Sequence, residues 1–393
     1  MKHHKILKLI LLVQCLLLTS NDFFAYPAII AVPVADVLAG SVESFEKDAS
    51  LYYQMPYSPE STVASCPRAY QLLYNEVIDV IEEKEHEYKI IHPGAFYLKN
   101  NVPCGEFYIT KQSACKIAAE DLPFIPSMPD AEQGLAFCSE NDVVLIDSFN
   151  HGNVVFSAGT RFKVYHMDAD CCYVYCGAET CKIPKKLLFT CDNTLSYQDR
   201  VVRFIEVLRR WAHNDAGFVP YVLGGASVTY RIPENIAAEL IEKDSQTVWQ
   251  YSGYDHATKS GMDCSDLIIR AAQIAGLPFF YKNTATMEHF LKNSTEHDHV
   301  EVGDIIWYKG HVIVIADLVH NTCIEARGYS AGYGKVQEIP VGALFEGINT
   351  FDDLKLACLS NKELAVLKWN GEVDKRISTF KILKLKSMWS KAY

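Results

Sequence analysis

Apolar positions along this 393-residue chain follow three successive patterns. The first is a single short block. Ile6 to Leu18 is apolar apart from Lys8 and Gln14, and it follows the basic segment Met1–Lys5. A basic start followed by an apolar run of this length is the layout of a secretory signal peptide. The unbroken parts, Leu9 to Val13 and Cys15 to Leu18, fall short of the roughly 20 residues needed to span a bilayer. Cleavage is expected near Ala25 or Ala28, which makes residues 1–25 the expected signal peptide.

The second pattern has a period of two. Ile29 to Val37 is a β-rich run in which Pro33 suits a strand start or an edge. In Gln71–Ile81, Val77, Asp79 and Ile81 alternate with Ile78, Val80 and Glu82, as in a half-buried strand. Tyr88–Ile91 and Phe107–Ile109 are further short strands. Strands this short, separated by Gly, Pro and Asn, predict a small β-barrel over residues 26–120. A second unit of the same grammar, residues 121–195, contains Val143–Ile146, Phe162–Tyr165, Cys171–Cys176 and Ile183–Leu188.

The third pattern begins with helical spacing. Val201, Ile205, Leu208 and Ala212 recur on one face while Arg203, Arg209 and Arg210 fall on others, which predicts an amphipathic helix over 198–213. Helix and strand are then mixed to about Phe345. Residues 346–393 read as a C-terminal extension whose basic residues Lys375, Arg376, Lys381, Lys384, Lys386 and Lys391 form a solvated face.

Composition narrows the function classes. The chain is 49% hydrophobic and 22% charged, which excludes whole-chain disorder. A formal charge of −11, or −13 after loss of residues 1–25, leaves no basic surplus for nucleic acid. No His-Glu-x-x-His occurs, and Cys171, Cys172, Cys176, Cys181 and Cys191 lack paired Cys-x-x-Cys spacing, so no metal and no other cofactor is expected. In an exported chain such a cluster is expected to form disulfides, with partners that spacing cannot assign. No apolar run after the first is long enough to hold the mature chain in a membrane.

The chemistry concentrates in Gly261–Gly276. Leu267, Ile268, Ala271, Ile274 and Ala275 lie on one helical face, and Gly276 followed by Pro278 is a stop signal. Cys264 therefore sits at a helix N-terminus, where the macrodipole and unpaired backbone N–H groups favour a nucleophilic thiolate. The matching base is His311, which follows the Lys309-Gly310 turn and opens an apolar strand.

Four segments in order, Tyr221-Val-Leu-Gly-Gly225, Asp263-Cys-Ser265, Gly303-Asp304 and Gly310-His-Val312, resemble the motifs YVWGG, DCSG, GD and HVG of the NlpC-type papain-like cysteine peptidases. The resemblance covers about residues 200–345. It implies an α+β fold: a papain-like peptidase domain (196–345) preceded by two small SH3-like β-barrels, as in γ-D-glutamyl-L-diamino-acid endopeptidases. Cys264 then corresponds to the nucleophile and His311 to its base. The third, orienting position falls on Glu325 in Cys323-Ile-Glu-Ala326, with His320 as a rival. Tyr221, Asp263 and Ser265 match positions that line the substrate subsites, where the latter two help hold a free N-terminal L-Ala. Leu223 and Asp266 depart from the usual Trp and Gly. A stretch of 38 residues between Gly225 and Cys264, carrying Trp249, Tyr251, Tyr254 and His256, is longer than is common.

The expected substrate is the peptidoglycan stem peptide L-Ala-γ-D-Glu-diaminopimelate, cut between D-Glu and the diamino acid by a periplasmic or wall-associated enzyme. Two alternatives remain at this point: a non-catalytic wall-binding protein, and a thiol acyltransferase of the same superfamily.

Overall fold

A computed structural model describes residues 25–41, 68–99, 102–118, 120–131, 139, 141–177, 179–233, 260–328, 331 and 334–392. The expected signal peptide up to residue 24, Cys15, and Trp249, Tyr251, Tyr254 and His256 of the long insertion lie outside the described residues.

The first sheet runs, in spatial order, Arg68–Leu73, Val34–Leu38, Glu106–Thr110, Glu87–Ile91, Val77–Glu83, Tyr26–Ile30 and Ala114–Lys116. Two runs that look continuous in sequence are each divided. Residues 29–37 break around Pro33, which has no N–H for a ladder. Tyr26–Ile30 accordingly pairs with Val77–Glu83, and Val34–Leu38 with Arg68–Leu73. Residues 71–81 break at Asn75, which adopts a φ of 69° in the left-handed region that Asn tolerates. The second sheet runs Glu179–Pro184, Cys171–Cys176, Arg161–Met167, Asp142–Leu145 and Leu188–Thr190, around a core that includes Val143, Phe162, Cys172 and Ile183. The expected barrels appear here as antiparallel ladders that stay open among the described residues.

The predicted amphipathic helix is observed as Tyr197–Ala212. Ser196 and Asp199 form a reciprocal capping box at its start, which satisfies two otherwise orphaned donors. Val201, Phe204, Ile205, Leu208 and Trp211 are buried.

The third sheet runs Lys292–Asn293, Phe380–Lys384, Ile305–Tyr308, His311–Asp317, Thr322–Arg327 and Lys335–Pro340. Val312, Val314, Ile324 and Val336 share a core with helices Tyr197–Ala212 and Cys264–Ile274. Ile313, Ile315 and Cys323 join a second core with Val341–Leu344 and Phe351–Leu359. The sheet is thus covered by helix on both faces, an α+β arrangement.

One boundary has to be corrected. Residues 346–393 are not an appendage, because Phe380–Lys384 lies inside the third sheet and pairs with Ile305–Tyr308. Nor is its basic face wholly solvated: Lys384 is buried and bonds Asp304 at 2.5 Å. Lys381 meets Glu288 at 2.5 Å.

The cysteine cluster divides unequally. Cys176 and Cys181 form a disulfide across a hairpin, and Cys191 is also disulfide-bonded. Cys171 and Cys172 are free, contrary to expectation, and Cys172 is a fully buried member of the core of the second sheet. Among the described residues no helix is long and apolar enough to cross a membrane.

Candidate active site

Cys264 is the first residue of the helix Cys264–Ile274, and Asp263 is its N-cap. One Asp263 oxygen accepts the N–H groups of Ser265 (2.8 Å) and Asp266 (2.7 Å) and the Ser265 hydroxyl (2.9 Å). The other accepts the Gly224 N–H at 3.1 Å. Gly224 has φ 69°, and a Cβ there would collide with the Arg68 carbonyl. Gly224 is therefore required by a left-handed turn that passes against a neighbouring backbone, and Gly225 by the close approach of the Gly261 carbonyl. It holds the Tyr221–Gly225 segment against the helix start. Among the described residues the Cys264 N–H itself has no acceptor.

His311 opens the strand His311–Asp317 after Gly310, whose φ is 85°. Its Nε2 lies 2.8 Å from Glu325 Oε2, on the adjacent strand Thr322–Arg327. Glu325 is fully buried, and its second oxygen accepts from Gln337 Nε2 at 3.0 Å. Burial alone would raise the Glu325 pKa. The His311 hydrogen bond and charge, with Arg327 and Gln337, outweigh burial and hold it below its ordinary value. The ring nitrogen engaged is Nε2 rather than the Nδ1 that the triad template suggests. Nδ1 has no hydrogen-bond partner among the described residues.

The structure thus brings Glu325 to His311 and leaves His320 elsewhere. His320 is exposed and bonds Asp317 at 3.0 Å. The helix that Cys264 begins packs against the strand His311–Asp317, with Cys264 and Val312 in one core, and the nearby Val312 backbone N–H favours the thiolate.

That single donor does not decide the protonation state. Burial, followed by the charge of Asp263, pushes the Cys264 thiol well up; Asp266 adds to this, while Val312 N–H and Lys282 oppose it. Burial weighs against the thiolate that the helix start favours, for a reason of magnitude. A helix N-terminus contributes about 0.3–1 kcal/mol, under one pKa unit, whereas full burial shifts a group by up to about 3–5 units. Cys264 is only 8% exposed.

Asp263 and Ser265 are also buried, and their bonds serve the cap. Tyr221 bridges to Met262 and donates its N–H to the Gly334 carbonyl at 2.9 Å; its ring would contact a Cβ built on Gly328. Asp266, at the departure from the usual Gly, is buried with Lys282 Nζ 2.9 Å from one oxygen. Burial and Asp263 push its carboxyl well up, against the opposing pull of Lys282 and Arg270.

Several site neighbours carry no signal at sequence level. Lys282 and Gln337 arrive from separate segments. Tyr308, whose ring centroid is 5.4 Å from that of His311, reads in sequence as an ordinary strand residue. Asp304 of the third motif turns out to be structural, since it receives Lys384 from the C-terminal segment. Among the described residues no group of three or more His, Cys, Asp or Glu side chains is placed to hold a metal ion.

No family model and no curated relative matches the sequence. Among solved structures the chain is similar to a NlpC/P60 family protein from Bacillus cereus, with 14% identity and a TM-score of 0.48, over 80% of this chain and 94% of that one. It is also similar to NlpC2 from Trichomonas vaginalis, with 10% identity and a TM-score of 0.31 over 82% and 95% of the two chains. NlpC1 from the same organism gives 11% identity and a TM-score of 0.32 over 82% and 90%. All three TM-scores are below 0.5, so the functional reading rests on this chain's own side chains.

Proposed function

We propose that the chain is an exported cysteine endopeptidase that hydrolyses the γ-D-glutamyl–diaminopimelate bond of peptidoglycan stem peptides. One observation carries the reading: a cysteine starts a helix against the strand opened by His311, and the imidazole of His311 is held by a buried, ionised Glu325. The motif resemblance supplies the substrate class, and the leader-like N-terminus supplies export. Residues 26–120 and 121–195 serve as SH3-like wall-facing units.

The side chains divide the work as follows. Burial favours the protonated form of the Cys264 thiol, and in this reading His311 takes its proton as attack begins, through the ring nitrogen that Glu325 does not hold. Glu325 stabilises the imidazolium that results. The sulfur adds to the γ-glutamyl carbonyl, and the Cys264 N–H, which has no acceptor among the described residues, is positioned to donate to the oxyanion. His311 gives its proton to the departing amine of the diamino acid. Water deprotonated by His311 then releases the acyl group and regenerates the thiol. Tyr221, Asp263 and Ser265 shape the subsite for the L-Ala amine.

Incubation of the folded chain with L-Ala-γ-D-Glu-diaminopimelate, read by mass spectrometry, tests this. The expected products are L-Ala-D-Glu and diaminopimelate, and Cys264→Ala abolishes them. No cleavage by folded protein with a free Cys264 thiol sinks the endopeptidase reading. Tight binding to sacculi without turnover would instead favour a wall-binding module.

A further inference from the structure

The hairpin formed by Leu364–Leu367 and Val373–Ile377 lies outside the stretch that carries the motifs, yet it is fastened beside the candidate site. Arg327, two residues beyond Glu325, donates to the Leu367 carbonyl at 2.8 Å and to Asp374 Oδ2 at 3.3 Å. The Trp369 N–H donates to the Ala331 carbonyl at 3.3 Å, and Phe345 bridges to Val366. Within this hairpin Lys375 pairs in register with Val366. Its Nζ stands 4.8 Å from the centroid of the Tyr308 ring, the same ring that neighbours His311.

Lys375 makes no ion pair with the described residues, and the carboxylate next to it in sequence, Asp374, is engaged by Arg327. An aromatic face attracts an ammonium but does not neutralise it. Lys375 is exposed, so water solvates its ammonium, and an arriving carboxylate would meet a charge that no fixed partner among the described residues already neutralises. Desolvation pushes the ammonium pKa down, as does Arg327, while Asp374, Cys264 and Glu325 oppose the shift.

We propose that Lys375 is the receptor for a carboxylate on the residue that acylates Cys264. The inference rests on the endopeptidase reading and sharpens it. A glutamyl residue linked through its γ-carbonyl keeps its α-carboxylate free, three carbons from the atom attacked, and that anion would supply the counter-ion Lys375 lacks. Lys375 is then a specificity residue contributed by the C-terminal segment, selecting acyl groups that carry a negative charge.

Turnover is not needed to test this. Iodoacetate and iodoacetamide alkylate a thiol by the same displacement, and only the former carries a carboxylate. The rate ratio at Cys264 is measured on the full chain by peptide mass spectrometry, for the native protein, Lys375→Met and Lys375→Arg. The iodoacetate-to-iodoacetamide ratio is expected to fall about tenfold in K375M, as for loss of one partly screened charge pair. It should be largely retained in K375R and should narrow with added salt in the native protein. Equal ratios in the native protein and K375M overturn the proposal, even if both rates fall together, because that pattern means Lys375 acts on the thiol alone. Failure of either reagent to reach Cys264 overturns it as well. The expected ratios without cleavage of the tripeptide would keep the receptor and remove the endopeptidase. Cleavage with an unchanged ratio would do the reverse.

Discussion

Glu325 shows how a single buried carboxylate both orients a base and ties stability to pH. Its folded pKa is depressed by His311 and its neighbours despite burial. Its ionised form therefore contributes stability that is fully present above the unfolded value of about 4.3 and is lost as pH falls through the folded value. Glu325→Gln keeps the shape and removes the charge. Urea denaturation of both proteins should show the native chain more stable at pH 7, with the gap closing as pH falls below about 4. A gap independent of pH would mean that Glu325 is not ionised in the fold. In the peptide assay the same substitution should lower kcat by about 10²–10⁴-fold, with a smaller change in KM. At this scale the sequence was informative where chemistry is local: Cys264, His311 and Glu325 stand in short motifs with fitting strand and helix contexts. It was silent on Lys282 and Gln337, and it placed Lys375 only on a solvated basic face. Each of these reaches the site only through tertiary contact, and none carries a spacing that would mark it. The pull of burial on the thiol has no sequence signal, because the helix N-terminus is visible in sequence, whereas burial is not.

Among the elements, the strand Phe380–Lys384 carries the largest surprise. It lies between Lys292–Asn293 and Ile305–Tyr308, and its last residue forms a buried ion pair with Asp304. Removing one partner of such a pair leaves a buried charge uncompensated, at a cost of about 3–5 kcal/mol. Lys384→Met is expected to destabilise by that amount, and the double variant Lys384→Met/Asp304→Asn by much less, in a cycle read by chemical denaturation. Additive losses would show that the two groups do not interact. The pH dependence has the opposite sign to that of Glu325. Burial raises the Asp304 pKa to about 6 even against the pull of Lys384. Its contribution is thus fully present below the unfolded value of about 3.9 and is lost as pH rises through about 6. Without Lys384 burial acts unopposed by that cation, so the penalty of K384M should shrink toward about pH 4. Sequence reading assigned this segment to a solvated tail because six basic residues dominate it. The alternation of Phe380 and Ile382 with Lys381 was the available strand signal, and charge obscured it.

For the whole molecule, the question is whether the first sheet is a separable wall-facing unit or part of the catalytic body. Composition and strand spacing divide residues 26–120 from 196–345, but they cannot show how the two are docked. Arg270, on the helix that Cys264 begins, crosses that division. Its guanidinium donates to Glu76 at 2.5 Å, to the Gln71 carbonyl at 2.8 Å and to the Ala226 carbonyl at 3.1 Å. Gln71 Oε1 in turn accepts the Ala226 N–H at 2.9 Å and the Ser227 hydroxyl at 2.7 Å. Arg68 reaches the Leu223 carbonyl at 3.3 Å, in the turn that holds the Cys264 helix. One apolar core runs through both parts, from Ile30, Val37 and Phe107 to Ile268, Ala272 and Val314, while the second sheet keeps a core of its own. Glu76 and Arg270 are both buried, so separating the parts would strand charges as well as expose apolar surface. The first sheet and the catalytic body should therefore unfold together. Calorimetry of the full chain should show Arg270→Met shifting one shared transition for both, and a chain lacking residues 26–120 should lose that cooperative transition together with saturable alkylation of Cys264. A truncated chain that still melts cooperatively and retains Cys264 reactivity would show that the first sheet is a detachable module, and that the contacts of Arg270 and Gln71 only position it.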